Sequence, residues 1–413
     1  MKSLNLNELL LSMSYVLDFV EMDVLGVASN HSKRVAYISL ALARQLNLSK
    51  EECFDIVALA ILHDNGLTEK ALRGGAKLEP HTKRKFLEKF KDHCIIGEEN
   101  VECFPFLTDV EGVIMYHHEH YDGKGFFKLK GEEIPIMAQI ICFADNLDTE
   151  FNLKEDYKEK TKDIIEYIES KRDKLSSSRI IDAFYKIAGF TSFALDLKDE
   201  FIRRGIYRNL SQFNRKMSYE DIRKVTTVFS KIIDCKSEFT ARHSQGLTEK
   251  TEIMSDYYNK ERKEKIKLLI AADLHDIGKL TVPNSILDKP SALTDEEFKV
   301  MRTHTYYTRV CLESLEGFED ITEWASNHHE KLDGSGYPYG FNADRLDFNS
   351  RLMGCLDIYQ ALTEDRPYRE GMSHESTIKI LRGMVDQGLI EKSIVEDINY
   401  VFECVLKREE SCV

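Results

Sequence analysis

Apolar residues along this chain recur at spacings of three and four, the period of a helix that buries one face. Ile266, Leu269, Ile270 and Leu274 follow this pattern, and Leu40, Leu42, Ala43 and Leu46 do so in the first half. Ser49–Glu52 and Thr294–Glu297 have capping-box spacing, so helices are expected to begin after Ser49 and Thr294. Gly66 and Gly278 stand where helices commonly end. Alternating strand patterns joined by hairpin turns are scarce. The expected fold class is all-α.

The pattern repeats. His31, His63, His93, His117 and His118 form one series and His243, His275, His304, His328 and His329 a second, offset by 212, 212, 211, 211 and 211 residues. Asp64 with Asp276 and Asp145 with Asp357 join the register at 212. The local wording agrees: ILHDNG matches DLHDIG, and YHHEHYDGKG matches NHHEKLDGSG. A period this long suits two tandem domains rather than a solenoid. The expected domains are 1–205 and 213–413, with a boundary near 205–217. The charged, amphipathic stretch FALDLKDEFIRRGIYRNLSQF is expected to be a helical connector, since it has no Pro/Gly/Ser-rich run.

Composition narrows the partners. Lys plus Arg number 57 against 71 Asp plus Glu, a net charge of −14, which argues against a duplex nucleic acid partner but leaves room for a small phosphate ligand. The longest apolar runs, such as 56–62, have about seven residues against the roughly 20 of a spanning helix, so no membrane segment is expected. No secretory signal is visible, and nine cysteines lack a CxxC pair or regular framework, so a reducing cytoplasm is the expected location. Neither a GxSxG elbow nor a GxxxxGK[ST] phosphate loop occurs.

The duplicated residues have the chemistry of metal ligands. A mixed nitrogen and oxygen set suits iron, manganese, nickel or zinc better than calcium or magnesium. Seven candidates per repeat exceed the needs of one tetrahedral ion, so a two-metal centre is expected, with a carboxylate such as Asp276 as bridge. Consecutive residues on a helix point about 100° apart, so His328 and His329 are expected to reach two neighbouring ions rather than face one. A lone buried histidine is more often a satisfied core residue than a ligand. Seven residues held in duplicate register are not explained that way, since packing would tolerate Leu or Phe at each position.

Residues 275–279 (HDIGK), 328–338 (HHEKLDGSGYP) and 357–369 (DIYQALTEDRPYR) closely resemble the HD-GYP subgroup of the HD metal-dependent phosphohydrolases. The resemblance covers roughly residues 215–405. It implies a five-helix HD core with extra helices and hydrolysis of cyclic di-GMP to the linear dinucleotide, and onward to GMP in some members. It also implies metal ligation by His243, His275, Asp276, His304, His328, His329 and Asp357. Iron or manganese is the expected metal, with nickel or zinc as alternatives. His275, Asp276 and Lys279 carry the implied chemistry, Lys279 aiming its ammonium at the scissile phosphate or assisting the leaving 3′ oxygen. Arg366 and Arg369 are the implied phosphate binders, Gly336 belongs to a turn that admits a ligand, and Tyr337 offers a ring or hydroxyl. Asp333 and Arg351 are expected to support the site rather than touch substrate. Some members carry a glutamate one turn before the first histidine for a third metal. Here Phe239 and Val27 stand in that place, so two metals per site are expected.

The first half keeps its ligand set (His31, His63, Asp64, His93, His117, His118 and Asp145) but loses other chemistry. Leu67 replaces the lysine, Phe126 and Phe127 replace Tyr-Pro, Gln139 replaces Arg351, and Lys154 and Tyr157 stand at the positions of Arg366 and Arg369. It is expected to be a degenerate HD domain that binds metal and serves regulation, dimerisation or another phosphate ligand, or simply uses the metal to hold its fold. Alternatives to cyclic di-GMP are cyclic GMP-AMP, another nucleotide, or a non-catalytic role sensing a nucleotide. A homodimer or a signalling-protein partner is compatible with either.

Overall fold

The computed structural model describes residues 4–25, 28–66, 91–154, 157, 159–210, 217–236, 243–289, 291–365 and 370–410. Among the described residues there are eighteen α-helices, two short 3-10 segments and no strand beyond two isolated bridges. The fold is all-α. The chain divides into two compact units between residues 216 and 217. No helix among the described residues is long and apolar enough to cross a membrane.

In the N-terminal unit, helix α1 spans Leu6–Leu25, α2 His31–Gln45, α3 Lys50–Ile61, α4 Asp92–Val101, α5 Ile136–Phe151, α6 Thr161–Ser170, α7 Ser178–Ala188, α8 Thr191–Asp196 and α9 Ile202–Asn209. Helix α2 is the hub, packed by α1, α3, α5, α7 and α9. That crowding buries all but one residue from His31 to Ala43. The apolar face expected from Leu40, Leu42 and Ala43 is therefore part of a helix covered on almost every side. Ser49 caps α3 with the full reciprocal capping box expected there.

The C-terminal unit carries α10 at Tyr219–Cys235, α11 at His243–Tyr257, α12 at Arg262–Leu274 and α13 at Asn284–Leu287. It continues with α14 at Asp295–Leu312, α15 at Glu319–Ser326, α16 at Phe348–Thr363, α17 at His374–Asp386 and α18 at Lys392–Glu410. Thr294 caps α14 with its own capping box. Helix α12 packs against α10, α11 and α15, and every residue from Leu268 to Leu274 is buried. The periodic spacing seen from Ile266 to Leu274 implied one buried face. Three neighbours enclose the C-terminal half instead, at about 1.5–3 kcal/mol for each large apolar side chain removed from water.

The stretch expected as a helical connector is helical and packs into the N-terminal unit: α9 packs on α2, Ile202 and Ile206 are buried, and the Arg44 guanidinium donates to the Asn209 carbonyl at 3.3 Å. Gly66 and Gly278 are not left-handed helix caps, since neither has a positive φ. A Cβ on Gly66 would lie 2.1 Å from the His93 carbonyl oxygen, and one on Gly278 would lie 1.9 Å from that of His304. Each glycine lets two segments that carry candidate ligands touch backbone to backbone.

Asp273, inside α12, carries a pH prediction. Burial pushes its carboxyl up to about 6, although the hydroxyls of Thr248 and Thr226 donate to it at 2.9 and 3.0 Å. The folded chain therefore keeps this proton between about pH 4 and pH 6 while the unfolded chain releases it, so stability falls as pH rises through that window. About two pH units correspond to about 3 kcal/mol. Asp273→Asn is expected to match wild type at pH 4 and exceed it in thermal stability at pH 8, measured by melts with a chelator present. Equal pH dependence in the two proteins would refute this.

Candidate metal centres

Helix ends and turns, rather than helix middles, present most of the ligands. In the C-terminal unit His243 opens α11, and His275 and Asp276 follow the last residue of α12. His304 lies in the middle of α14, His328 and His329 sit in the turn after α15, and Asp357 lies on α16. The N-terminal unit repeats the plan. His31 opens α2, His63 and Asp64 follow α3, His93 lies on α4, His117 and His118 occupy a turn, and Asp145 lies on α5.

Asp276 stands at the middle of its set. Its Oδ2 lies 3.1 Å from His275 Nε2 and 4.0 Å from His243 Nε2, while Oδ1 lies 3.4 Å from His304 Nε2 and 3.9 Å from His328 Nε2. Asp357 closes the first lobe, with Oδ1 3.0 Å from His243 Nε2 and 3.9 Å from His275 Nε2. Its Oδ2 is 3.8 Å from His329 Nδ1. The candidate ligand atoms fall into two groups, His243 with His275 and Asp276, and His304 with His328 and His329. The N-terminal unit has two as well, His31 with His63 and Asp145, and Asp64 with His93, His117 and His118.

This grouping corrects one expectation. His328 and His329 join His304 in a single group, and His117 and His118 likewise share one. The 100° separation holds for consecutive residues of a helix, but both pairs lie in turns, where adjacent side chains can converge. Their rings are 4.2 Å and 4.0 Å apart, respectively.

Several of the donors are oriented as a metal ion would need them. The Nδ1 atoms of His275, His304 and His328 lie 2.8, 2.7 and 2.7 Å from the carbonyls three residues earlier, as do those of His63 and His117 at 2.9 and 2.6 Å. Donation there places the proton on Nδ1 and leaves the Nε2 lone pair facing the cluster. His275 Nε2, Asp276 Oδ1, His63 Nε2, Asp64 Oδ1 and His117 Nε2 are buried without a hydrogen-bond partner. Such atoms are costly unless something else satisfies them, and a divalent cation would. The residues present fit a metal ion in both units.

Electrostatics agree. Burial pushes His304 down to about 4, and burial with the neighbouring His275 pushes His328 down to about 3, so both imidazoles are neutral at pH 7, as metal ligation would require. Burial opposes charge on Asp276 as well, but His275 and Lys279 outweigh it and hold the carboxyl well below its usual range. His243 is the exception: the Asp357 and Glu364 carboxylates overcome its burial and raise it to about 9, so a cation would have to displace its proton.

Supporting residues complete each centre. Lys279 is ion-paired to Asp276. Glu364 lies 3.1 Å from His243 Nδ1. The N-terminal unit solves the same problem differently: Asp148 lies 2.7 Å from His31 Nδ1 and takes two bonds from Arg34 at 2.6 and 3.0 Å. Glu330 accepts the backbone N–H groups of Tyr339 and Phe341 at 2.8 and 2.9 Å, and Glu119 those of Phe127 and Leu129, both at 2.7 Å. These glutamates pin the loop that follows each His-His pair. Sequence reasoning overlooked Glu119, Glu330, Glu364, Asp148 and Arg34. The two loop glutamates were readable in the repeat, where both follow His-His directly.

Other sequence candidates take different places. Arg366 and Arg369 lie outside the described residues, as do Leu67, Val27 and Phe239. Gly336 makes its close approach to its own chain rather than to a ligand: a Cβ there would lie 2.4 Å from Glu330 Cα. The Tyr337 ring packs 4.8 Å from the His329 ring. Arg351 is spent on the fold, donating to the carbonyls of Leu346 and Ala343 and to Glu391. Asp333 accepts Ser335 within its turn. In the N-terminal unit Lys154 pairs with Asp199 at 3.1 Å and donates to Ser29 at 2.9 Å, and the Tyr157 hydroxyl donates to the Ala188 carbonyl. The remaining counterparts of the two arginines therefore serve local structure.

Known proteins share this architecture. The family described as "HD domain" matches residues 22–175 and 227–394. The chain is 28% identical over 411 residues to 3'3'-cGAMP-specific phosphodiesterase 1 of Vibrio cholerae, covering 96% of this chain and 91% of the relative. It is 28% identical over 424 residues to 3'3'-cGAMP-specific phosphodiesterase 3 of the same organism, covering 91% and 90%. A probable cyclic di-GMP phosphodiesterase of V. cholerae is 41% identical, but over 143 residues, 32% of each chain. A crystal structure of a cyclic GMP-AMP specific phosphodiesterase from V. cholerae aligns with 97% of this chain and 98% of its own, at a TM-score of 0.67 and 24% identity, a likeness of fold.

Proposed function

The chain belongs to the HD domain family, and from that premise we propose that its C-terminal unit hydrolyses a cyclic dinucleotide, 3'3'-cGAMP, to the linear dinucleotide. The observation that carries this reading is the two-lobed centre joined by Asp276, with an ammonium, Lys279, held against it. The choice of 3'3'-cGAMP over cyclic di-GMP rests on length: two relatives named for 3'3'-cGAMP match across nine-tenths of this chain and another across 35%, whereas those named for cyclic di-GMP match across about a third or less. This moves the first expectation, cyclic di-GMP, to second place.

His243, His275, Asp276 Oδ2 and Asp357 would hold one divalent ion, and His304, His328, His329 and Asp276 Oδ1 a second. Iron or manganese fits this nitrogen-rich set best. When bound, the pair supplies Lewis acidity to phosphate oxygens and lowers the pKa of bound water. The chain's own residues do the rest. The carbonyl-locked imidazoles hold their lone pairs in place before substrate arrives, so little reorganisation is needed during reaction. Glu364 orients His243 through Nδ1, leaving Nε2 for the ion it would share with Asp357. As water adds to phosphorus and the phosphorus–oxygen bond to the 3′ oxygen breaks, Lys279 donates a proton to that oxygen, which leaves as a hydroxyl, and the proton lost by the water restores the ammonium. In the N-terminal unit a leucine stands at the lysine position, and Lys154, the one cation at the two arginine positions, is paired with Asp199. That unit is read as a metal-binding partner domain without this turnover.

Product analysis on the full-length, metal-loaded protein under anaerobic conditions tests the reading. The expected result is linear pGpA-type product from 3'3'-cGAMP, with kcat/KM at least about tenfold above that for cyclic di-GMP, a modest discrimination for sites of this kind. Binding without product would replace the enzyme by a nucleotide sensor. Faster cyclic di-GMP hydrolysis would reverse the substrate assignment.

A further inference from the structure

Beside the C-terminal centre lies a group of side chains that the hydrolytic chemistry leaves unused. Helix α14 carries His304 and, half a turn earlier, Arg302. The guanidinium lies 4.7 Å from the Phe298 ring centroid and 5.0 Å from that of Tyr337. The two rings are 6.4 Å apart at 80°, so the guanidinium occupies the corner between them. Tyr337 in turn packs at 35° and 4.8 Å on the ring of His329. This corner thus stands one ring away from a candidate metal ligand.

Three features single it out. Among the described residues Arg302 is exposed and has no ion-pair partner, in a chain with 14 more acidic than basic side chains. Its aromatic neighbour Phe298 is 42% exposed, a large apolar ring left to water at the edge of a polar site. The other unit departs at this point: Lys91 occupies the position of Arg302, with its ammonium 4.5 Å from the Phe127 ring. A lysine keeps the charge over a ring but loses the planar fork.

We propose that Arg302, held by Phe298 and Tyr337, reads the guanine base of the substrate. Arginine matches the O6 and N7 acceptors of guanine with two parallel N–H donors, whereas adenine presents an amino donor where guanine presents O6. A phosphate would satisfy the guanidinium but make no use of the exposed ring face. A purine can use both, stacking beside Phe298 while its edge meets the fork. The inference rests on the proposed cyclic dinucleotide activity and deepens it by assigning the residue that recognises one base.

The test uses the full chain, metal-loaded, as wild type, Arg302→Lys, Arg302→Ala and Phe298→Ala, with metal content and helical circular dichroism checked first. Binding of GMP and AMP is measured by calorimetry, and KM and kcat are measured with cyclic di-GMP, 3'3'-cGAMP and cyclic di-AMP. Wild type is expected to prefer GMP to AMP by about tenfold or more, the range of a bidentate arginine–guanine pair. Both Arg302 variants should lose that preference, lysine giving no rescue, and KM for the guanine-bearing substrates should rise more than kcat falls. Phe298→Ala should weaken both nucleotides. A preference that survives in Arg302→Ala overturns the assignment. Equal losses on guanine and adenine ligands, rescued by lysine, would make Arg302 a phosphate contact and overturn it too. Wild type that discriminates GMP from AMP yet turns over no cyclic dinucleotide would sink the proposed function while leaving the base reading intact.

Discussion

Asp276→Ala is expected to abolish turnover, by about 10³-fold or more, and to empty both lobes of the C-terminal centre at once. The reason is geometric. One carboxylate oxygen faces His243 and His275 while the other faces His304 and His328, so its loss removes a ligand from each lobe together with a negative charge that balances both. Removing a single preorganised electrostatic group from such a site costs about 10²–10³ in kcat, and a shared ligand should cost at least that. Metal quantification should show two fewer ions per chain. The matching Asp64→Ala change should remove the ions of the N-terminal unit and leave turnover within a fewfold of wild type. Comparable losses of turnover from the two variants would place catalysis in both units and refute the division of labour proposed above.

The second large effect is on stability. Gly278→Ala is expected to destabilise the protein by about 3 kcal/mol, at the upper end for an overpacked contact. The added Cβ would lie 1.9 Å from the His304 carbonyl oxygen, 2.7 Å from its carbonyl carbon and 2.9 Å from the Thr308 amide nitrogen. All three are backbone atoms of α14, so no side-chain rotation relieves the clash and the helix must move, taking His304 with it. The Gly278 N–H also donates to the Thr308 hydroxyl, which donates in turn to the His275 carbonyl, and these bonds would shift together. Denaturant unfolding with chelator present gives the stability term, and metal content without chelator gives the loss at His304. Gly383→Ala is the control. It lies inside α17 with nothing within 4 Å of a Cβ, so the better helix former should stabilise by about 0.5–1 kcal/mol. A Gly278→Ala protein as stable as wild type would show that α14 yields freely.

Much of the centre was legible before any coordinates, and the reason is duplication. A single His-Asp pair has many uses, but two series held at 211 and 212 residues select the ligand types against the background. The helical class was legible too, since capping boxes at Ser49 and Thr294 depend only on residues three apart. The helical character of the connector was legible as well, but not what its apolar face would meet, since an amphipathic stretch reads alike wherever that face packs; Ile202 and Ile206 are buried in the N-terminal unit.

Residue type and order along the chain thus determined which side chains could bind metal, because ligand chemistry belongs to the residue and the repeat preserves it. Tertiary structure decided how they are shared. His328 and His329 join one group because the chain turns there instead of winding on, and Asp276 faces both lobes because α12 ends between α11 and α14. His243 draws its supporting carboxylate from Glu364, 121 residues away, while His31 draws its own from Asp148. Convergence of distant segments sets those pairings, and spacing along the sequence carries no record of it.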